Sequence, residues 1–258
     1  MLHFLLKSLV ELTGNPFISK ILRKSTYSRF SKPLVKPFAR VYGLDEHEMA
    51  NPIDHYRSIH ELFTRQLLPG LRPIDTSAHT LVSPVDGTLS EVGTIQEGQT
   101  FYVKNQLYHV NQLLGDTKKA TTYTDGYYYI FYLSPKDYHH MHYPIDGKLT
   151  SRWALGEKSF PVNSFGLKWG DYPLSTNYRI ISEIKTAFGN MAIAKIGALN
   201  INSIQMTHAA SSFKKGEEIG YFTFGSTVIL LIEKHPSFKP TIDTDSTVAF
   251  GERIGMWF

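Results

Sequence analysis

The stretch KGEEIGYFTFGSTVILL, residues 215–231, predicts the β architecture of this chain and contains its most informative step. Bulky residues at 220–224 predict one strand, and the apolar run at 228–232 predicts a second that is too short to cross a membrane. Gly225 and Ser226 therefore lie between two strands that we expect to be buried. Glycine permits a close approach to the main chain at such a point, but Gly-Ser steps also mark ordinary turns. The step alone leaves both interpretations open.

The composition predicts a folded, β-rich protein. Of 258 residues, 42% are hydrophobic and 19% are charged, which is enough apolar content for a packed core. The 15 Tyr and 16 Phe favour strands. The chain has no cysteine, which excludes disulfides, thiolate nucleophiles and cysteine-ligated metal sites.

Positive charge is concentrated at the N-terminus. Residues 1–40 hold eight Lys/Arg and one acid, whereas the rest of the chain is slightly acidic. Apolar residues recur at helical spacing in 2–12, after Asn15-Pro16 and in 31–42, with the basic residues beside them. No apolar run is long enough to span a bilayer, and no signal-peptide cleavage pattern is present. The pattern fits helices lying on an anionic membrane surface, and it equally fits a helical layer packed on the protein; nucleic acid is disfavoured, because the cations interleave with leucines.

The remainder of the chain has the texture of a β protein. Short runs rich in Val, Ile, Thr and aromatic residues alternate with Gly, Asn and Asp. Long helical patterns between these runs are absent, which favours an antiparallel sandwich or barrel over a doubly wound parallel sheet. The predicted strands are 80–83, 87–95, 127–133, 146–154, 179–188, 190–196, 219–224, 226–232 and 247–256.

These patterns predict an α+β protein in two parts. A helical, basic, membrane-associating segment comprises residues 1–72. Its last predicted helix, 58–68, begins at Ser58 with Glu61 as its capping partner. A mainly antiparallel, β-rich catalytic domain comprises residues 73–258.

Two further segments carry side chains that are suited to catalysis. Asp86 lies in a Ser-Pro-Val-Asp-Gly turn, and His139, His140 and His142 follow a strongly aromatic strand. Each could be an ordinary turn or loop residue. Two histidines without a third well-placed ligand are a weak metal signal, whereas imidazoles titrate near neutral pH and suit acid–base work. Asp86, His142 and Ser226 would form a nucleophilic constellation if the fold brings them together.

Several motifs occur in a fixed order across residues 60–232. They are 63–65, 68–74, 83–87, 133–139 with 142, 160–163, 196–198, 215–217 and 224–227. With these motifs the chain resembles the phosphatidylserine decarboxylase family, and the Gly-Ser-Thr and Asp-Tyr-His-x-x-His runs are the most specific. Two positions depart from the family pattern: Phe224 stands where many members have leucine, and Asn202-Ser203 replaces a common Gly-Ser.

The resemblance implies self-processing and a covalent cofactor. Ser226 would attack the carbonyl of Gly225, and rupture of the chain would leave a β chain, 1–225, and an α chain, 226–258. The first residue of the α chain would become a pyruvoyl group. This group would form a Schiff base with phosphatidylserine and release CO2, which yields phosphatidylethanolamine.

The resemblance also implies roles and partners. Asp86 would orient the imidazole of His142, which would activate Ser226 and later donate a proton, while His139 would place the substrate carboxylate. His140 matches no family role, and we expect it to be structural. The expected partners are phosphatidylserine in an anionic membrane, at its cytoplasmic face, and the two chains of one precursor. Exposed edge strands would also permit a homodimer, and we expect neither a metal nor a nucleic acid.

Two other functions remain open from the sequence. Asp86, His142 and Ser226 would also suit a serine hydrolase with an intact backbone, although Phe224 stands where a Gly-x-Ser-x-Gly pattern requires glycine. The second alternative is a β module without enzymatic activity that binds lipid at a membrane surface and in which Ser226 is a turn residue.

Overall fold

A computed structural model describes residues 26–103, 106–163, 167, 172–198 and 203–258. The helices predicted over 2–12 and after Asn15-Pro16 lie outside these described residues. Within the described ranges, no helix is long and apolar enough to cross a bilayer.

The described chain opens with a small helical layer. A 3-10 helix, Arg29–Leu34, leads directly into α1 (Val35–Tyr42), as the periodicity over 31–42 predicts. α1 ends at Gly43, whose φ of 68° lets its N–H donate to the carbonyl of Ala39. Two single-turn 3-10 helices follow: Glu46–Glu48 and Ile53–His55.

α2 (Ile59–Phe63) is the helix that was predicted to begin at Ser58. The Ser58 hydroxyl accepts the backbone N–H of Glu61 at 3.1 Å, which confirms the predicted cap. The helix is shorter than predicted, because Leu67 pairs with Met49 in an antiparallel bridge that requires extended backbone. The layer encloses its own buried cluster: Val35, Phe38, Ala39, Leu44, Met49, Tyr56, Ile59, Leu62 and Phe63.

The body is mainly antiparallel sheet, which confirms the predicted α+β class. Its strands are β1 (Thr80–Val82), β2 (Gly87–Thr94), β3 (Thr100–Val103), β4 (Gln106–His109), β5 (Tyr127–Leu133), β6 (His140–His142), β7 (Gly147–Leu155), β8 (Arg179–Thr186), β9 (Gly189–Gly197), β10 (Ile204–Met206), β11 (Ser212–Phe213), β12 (Glu218–Phe222), β13 (Ser226–Ile232), β14 (Phe238–Pro240), β15 (Ser246–Val248) and β16 (Arg253–Trp257). Three short helices accompany them: α3 (Val110–Leu114), α4 (Thr117–Thr121) and α5 (Pro173–Thr176). The strand predicted over 247–256 is wrong, because the chain turns at Gly251, whose φ is 89°, and forms two strands instead of one.

β13 is an inner strand of an eight-stranded sheet with the order β11-β7-β8-β9-β13-β5-β2-β15. Smaller sheets, β10-β12-β6 and β1-β16-β14, and the hairpin β3-β4 complete the body. Every residue of β13 is buried. Its side chains alternate between two apolar clusters: Val228, Leu230 and Ile232 in one, and Ile229 and Leu231 in the other. The apolar run that follows Ser226 therefore forms the centre of the core.

Lys195 is a fully buried lysine beside this strand. It lies on β9 opposite Val228, and its Nζ donates to the Ser182 hydroxyl at 2.5 Å. The same hydroxyl accepts Nε of Arg152 at 3.1 Å. Burial, together with the charge of Arg152, lowers the pKa of Lys195 well below its usual value.

Replacing this lysine should stabilise the protein. In the unfolded chain Lys195 is protonated at pH 7, whereas the lowered pKa means that the folded chain binds this proton less well. The free energy of unfolding therefore rises with pH up to about 10.4, the ordinary lysine pKa. Lys195→Met should raise the free energy of unfolding at pH 7 by roughly 1 kcal/mol or more and flatten this pH dependence. Urea unfolding at several pH values measures both effects. Lys185→Met, on an exposed position of β8, is the control, and a lower urea midpoint for Lys195→Met would contradict the prediction.

Candidate active site

The peptide bond between Gly225 and Ser226 lies at the start of the central strand. Ser226 is the first residue of β13 and pairs with Leu133 of β5 on one side and with Gly197 of β9 on the other. It is completely buried, and its hydroxyl has no hydrogen-bond partner among the described residues. A buried polar group without a partner costs about 1–3 kcal/mol.

The carbonyl that precedes Ser226 is held by a backbone donor. The N–H of Ala198, just beyond β9, donates to the oxygen of Gly225 at 2.9 Å. The bond continues the β9–β13 ladder, and it also polarises this carbonyl. A donor at this oxygen would stabilise negative charge that develops when a nucleophile attacks the carbonyl carbon.

Asp86 comes immediately before β2, at the same end of the large sheet as Ser226, the first residue of β13. The residue after it, Gly87, has a φ of 153° and approaches β5 so closely that a Cβ would lie 2.4 Å from the carbonyl oxygen of Tyr132. Only glycine fits there. Because β2, β5 and β13 are adjacent strands, the main chains of Asp86 and Ser226 are about 10 Å apart.

The Asp86 carboxylate is bound by groups other than a histidine. Arg72 donates to its Oδ2 from Nε at 3.0 Å and from Nη2 at 2.8 Å, and the backbone N–H of Phe250 donates to its Oδ1 at 2.8 Å. Glu48 binds the same guanidinium at 2.7 Å. Among the described residues Asp86 makes no hydrogen bond to His142, and its carboxylate holds Arg72 and the segment at Phe250. The predicted role of Asp86 in orienting His142 stays a prediction.

A backbone carbonyl orients His142 instead. Its Nδ1 lies 2.9 Å from the oxygen of Gly216, and because a carbonyl only accepts, Nδ1 carries the hydrogen. Nε2 thus carries the lone pair, and it is buried with no partner among the described residues. Burial lowers the pKa of His142, so the ring is neutral at pH 7 and can accept a proton. The ring of Phe250 stacks on it at 3.9 Å, which connects His142 indirectly to Asp86.

His139 has a similar arrangement. Its Nδ1 lies 2.8 Å from the carbonyl oxygen of Asp137, and its Nε2 is buried without a partner in the described part of the chain. Burial and the nearby Arg65 lower the pKa of His139 to about 3. A neutral ring that presents a lone pair repels a carboxylate. The predicted role of His139 in placing the substrate carboxylate stays a prediction, and in this state the ring offers Nε2 as a hydrogen-bond acceptor.

Strand pairing places the histidines beside the segment that leads to Ser226. β6, which contains His140 and His142, pairs with β12, and the N–H of Phe222 donates to the carbonyl of His139 at 2.9 Å. β12 runs through 223–225 into Ser226. His140 contacts the Glu218 carboxylate at 2.9 Å and the Thr64 carbonyl at 3.2 Å, and so links β6 to β12 and to the segment after α2.

The sequence analysis missed three residues of this site. Arg72 and Gly216 lie within the motifs 68–74 and 215–217, but the motifs gave them no role. Phe250 lies in the turn that was predicted as part of a strand. Their contacts with Asp86 and His142 connect distant parts of the chain, and no local pattern signals them.

Comparison with known proteins agrees with these motifs. The family model described as phosphatidylserine decarboxylase matches residues 59–256. The phosphatidylserine decarboxylase proenzyme of Halalkalibacterium halodurans is 45% identical over 252 residues, which cover 96% of this chain and 95% of that protein. The proenzyme of Geobacillus kaustophilus is 42% identical over 259 residues, which cover 100% of this chain and 98% of that protein. The proenzyme of Bacillus cereus is 44% identical over 234 residues, which cover 91% of this chain and 89% of that protein. This chain therefore belongs to the phosphatidylserine decarboxylase family.

Proposed function

We propose that this protein decarboxylates phosphatidylserine to phosphatidylethanolamine and CO2 with a pyruvoyl group made from its own Ser226. The observation that supports this best is the Gly225–Ser226 bond, where a buried hydroxyl without a partner follows a carbonyl that is bonded to an N–H. The similar proteins are named proenzymes, which agrees with a chain that is processed before it acts.

Processing begins at the Ser226 hydroxyl. We assign to Nε2 of His142 the acceptance of the hydroxyl proton, since this ring is neutral and its Nε2 is free. Oγ then attacks the carbonyl carbon of Gly225, and the N–H of Ala198 stabilises the charge on the oxygen. Collapse moves the acyl group from nitrogen to oxygen and frees the amine of Ser226.

Elimination completes the processing. Loss of the α-proton of Ser226 expels the ester oxygen, so that residues 1–225 leave with a C-terminal carboxylate and position 226 becomes dehydroalanine. Addition of water and release of ammonia convert this group into a ketone. Each atom is accounted for without an oxidant or a reductant, which agrees with a process that needs nothing beyond the folded chain and water.

The surroundings of Ser226 fit a pyruvoyl group. Its cross-strand neighbour Gly197 has no side chain, and the apolar residues Leu133 and Val228 belong to the same buried cluster. The group supplies an electron sink for the electron pair that remains when CO2 departs. We assign to Nε2 of His142 first the acceptance of the proton that the substrate ammonium group loses, and then its delivery to the carbon that loses CO2. The neutral His139 accepts a hydrogen bond from the amino group of the substrate.

The serine hydrolase alternative receives no support from the site geometry. A hydrolytic triad requires a carboxylate on Nδ1 of the catalytic imidazole. In this protein Gly216 occupies that position on His142, and the Asp86 carboxylate is bound by Arg72 and Phe250. Membership of a decarboxylase family likewise disfavours a lipid-binding module without activity.

We also propose that the helical layer docks the protein on the cytoplasmic face of an anionic cell membrane. The Phe30 side chain is 93% exposed and stands between Arg29 and Lys32 in the chain, and Leu34 is also exposed. An exposed aromatic ring beside cations suits insertion at a negatively charged lipid surface. The basic segment 1–40 would then hold the enzyme where its lipid substrate lies.

Mass spectrometry under denaturing conditions tests the processing. Purified protein should consist of 1–225 and 226–258, and the second piece should have a blocked N-terminus. Ser226→Ala should remain one chain, and His142→Ala should slow cleavage by roughly 10²–10⁴-fold, because it removes the base. Ser159→Ala is the control, since Ser159 is also buried with an unpartnered hydroxyl, and it should be cleaved normally. Active protein with an intact chain would refute the proposal.

A double-variant comparison tests whether Asp86 acts through Arg72 and the Phe250 segment. If Asp86 and Arg72 act together to hold the Phe250 segment, then Asp86→Asn and Arg72→Gln should each slow cleavage by about tenfold. The double variant should be no slower than the slower single one, because both changes remove the same interaction. Arg253→Gln, which breaks a separate arginine–aspartate pair with Asp75, should leave the cleavage rate unchanged. Multiplying effects in the double variant would argue for independent roles.

Sedimentation with vesicles tests the membrane surface. The full chain should sediment with phosphatidylserine-containing vesicles and much less with neutral ones, and added salt should weaken the binding. Removal of residues 1–40 should abolish sedimentation, and Phe30→Ser should weaken it. Tyr102→Ser, at an exposed aromatic position on β3, should have no effect. Full sedimentation of the truncated chain would show that docking lies elsewhere.

A further inference from the structure

Arg65 is a buried arginine bound by carbonyl groups instead of carboxylates. It is 5% exposed, and it follows α2 directly. Its Nη2 donates to the carbonyls of Lys136 and Asp137, the latter at 3.2 Å, and its Nη1 lies 3.5 Å from the carbonyl of Leu62. A buried guanidinium that has no carboxylate partner among the described residues is costly.

The oxygen that Arg65 holds is the one that holds His139. The carbonyl of Asp137 accepts Nη2 of Arg65 and also the Nδ1–H of His139, at 2.8 Å. Because this oxygen only accepts, it fixes the hydrogen of the imidazole on Nδ1 and leaves the lone pair on Nε2. An oxygen that is already fixed by a guanidinium is a more rigid anchor for the ring than one in a free loop.

The surrounding loop is built to keep this oxygen in place. The side chain of Asp137 accepts the N–H and the hydroxyl of Ser134 at 2.7 and 2.8 Å, and the N–H of Asp137 returns to the Ser134 carbonyl at 2.9 Å. On the other side, the Phe63 ring lies 3.8 Å from the His139 ring. The end of α2 therefore supplies both the stacking ring and the cation.

Arg65 also acts on His139 electrostatically. Burial contributes most to the lowered pKa of His139. The titratable groups that face His139 are Arg65, from the segment after α2, and its chain neighbour His140, the first residue of β6, and both oppose protonation. Removal of the Arg65 charge would therefore make His139 easier to protonate. The contacts and the charge both favour one state of the ring, which is neutral with its hydrogen on Nδ1.

We propose that Arg65 is the positioning residue of His139: it fixes the Asp137 carbonyl, which fixes the tautomer and orientation of the imidazole and keeps Nε2 as an acceptor. Arg65 does not touch the reacting atoms itself. The consequence for turnover rests on the decarboxylase function proposed above, but the link between the two side chains does not. The two ideas can therefore fail separately.

The test observes the histidine ring directly. Full-length Ser226→Ala protein with 15N-labelled histidine gives imidazole nitrogen spectra at pH 7, and His139→Gln in the same background identifies the signals of His139. The parent should show His139 with hydrogen on Nδ1 alone. Arg65→Gln should show a mixture of tautomers and protonation that begins about one pH unit higher, because the anchor and the charge are both lost. Arg65→Lys should keep the ring neutral but still mix the tautomers, because an ammonium cannot bind both carbonyls in a fork.

Arg179→Gln is the matched control. Arg179 is also buried and bound only to backbone carbonyls, those of Leu113, Gln112 and Asn177 at 2.7, 2.8 and 3.1 Å. Its loss should cost similar stability and leave the His139 spectrum unchanged. A His139 spectrum that is unchanged in Arg65→Gln, or changed equally in Arg179→Gln, would overturn the inference.

Activity measurements separate this inference from the proposed function. With Ser226 restored, Arg65→Lys and Arg65→Gln should lower kcat/KM by roughly tenfold or more, since a misplaced His139 no longer holds the substrate amino group. A chain that is cleaved and active, with an unchanged kcat/KM in both variants, would overturn the positioning role alone. A restored parent chain that is never cleaved would refute the proposed function and leave the spectroscopic result standing.

Discussion

The double pairing of β13 is the constraint on which the structure depends. β5 and β9 bind this strand on both sides, so the Gly225 carbonyl and the Ser226 hydroxyl are fixed at the end of the sheet where β13 begins, and the Ser226 hydroxyl is buried there. The same pairing would hold the two products of processing together. β13, β15 and β16 all follow residue 225, and they pair with β5 and β9, with β2 and with β1 respectively. The sheet would therefore replace the broken peptide bond as the link between the pieces.

Backbone carbonyls, and not carboxylates, set the state of both histidines. The oxygens of Gly216 and Asp137 place the hydrogen of each ring on Nδ1, and burial keeps each ring neutral. A carboxylate on Nδ1 would raise the pKa of the ring and stabilise the imidazolium that forms when the ring accepts a proton. A carbonyl leaves each Nε2 as a base, which is what removal of a proton from a serine hydroxyl requires. The Asp86 carboxylate is thus free to hold Arg72 and the Phe250 segment.

Local patterns in the sequence predicted the fold class, the burial of β13 and the Ser58 cap, because each depends on side chains only a few residues apart. The partners of Asp86 depend on residues 14 and 164 positions away, and no periodicity contains that information. The strand predicted over 247–256 failed for a related reason. Its composition suits a strand throughout, but the backbone turns at Gly251. The alternation of residue types along the chain gives no indication of this turn.

Residues before the predicted domain boundary at residue 72 contact the candidate site. Phe63 lies 3.8 Å from the ring of His139 and 5.7 Å from that of Phe224, two residues before Ser226, and Arg65 holds the loop that carries His139. The helical layer is therefore a wall of the candidate site as well as its proposed connection to lipid. A phospholipid keeps its acyl chains in the bilayer, so its headgroup reaches a buried site only if that site lies close to the membrane surface. If this layer contacts the lipid as proposed, a wall built from it satisfies the requirement without a separate transfer step.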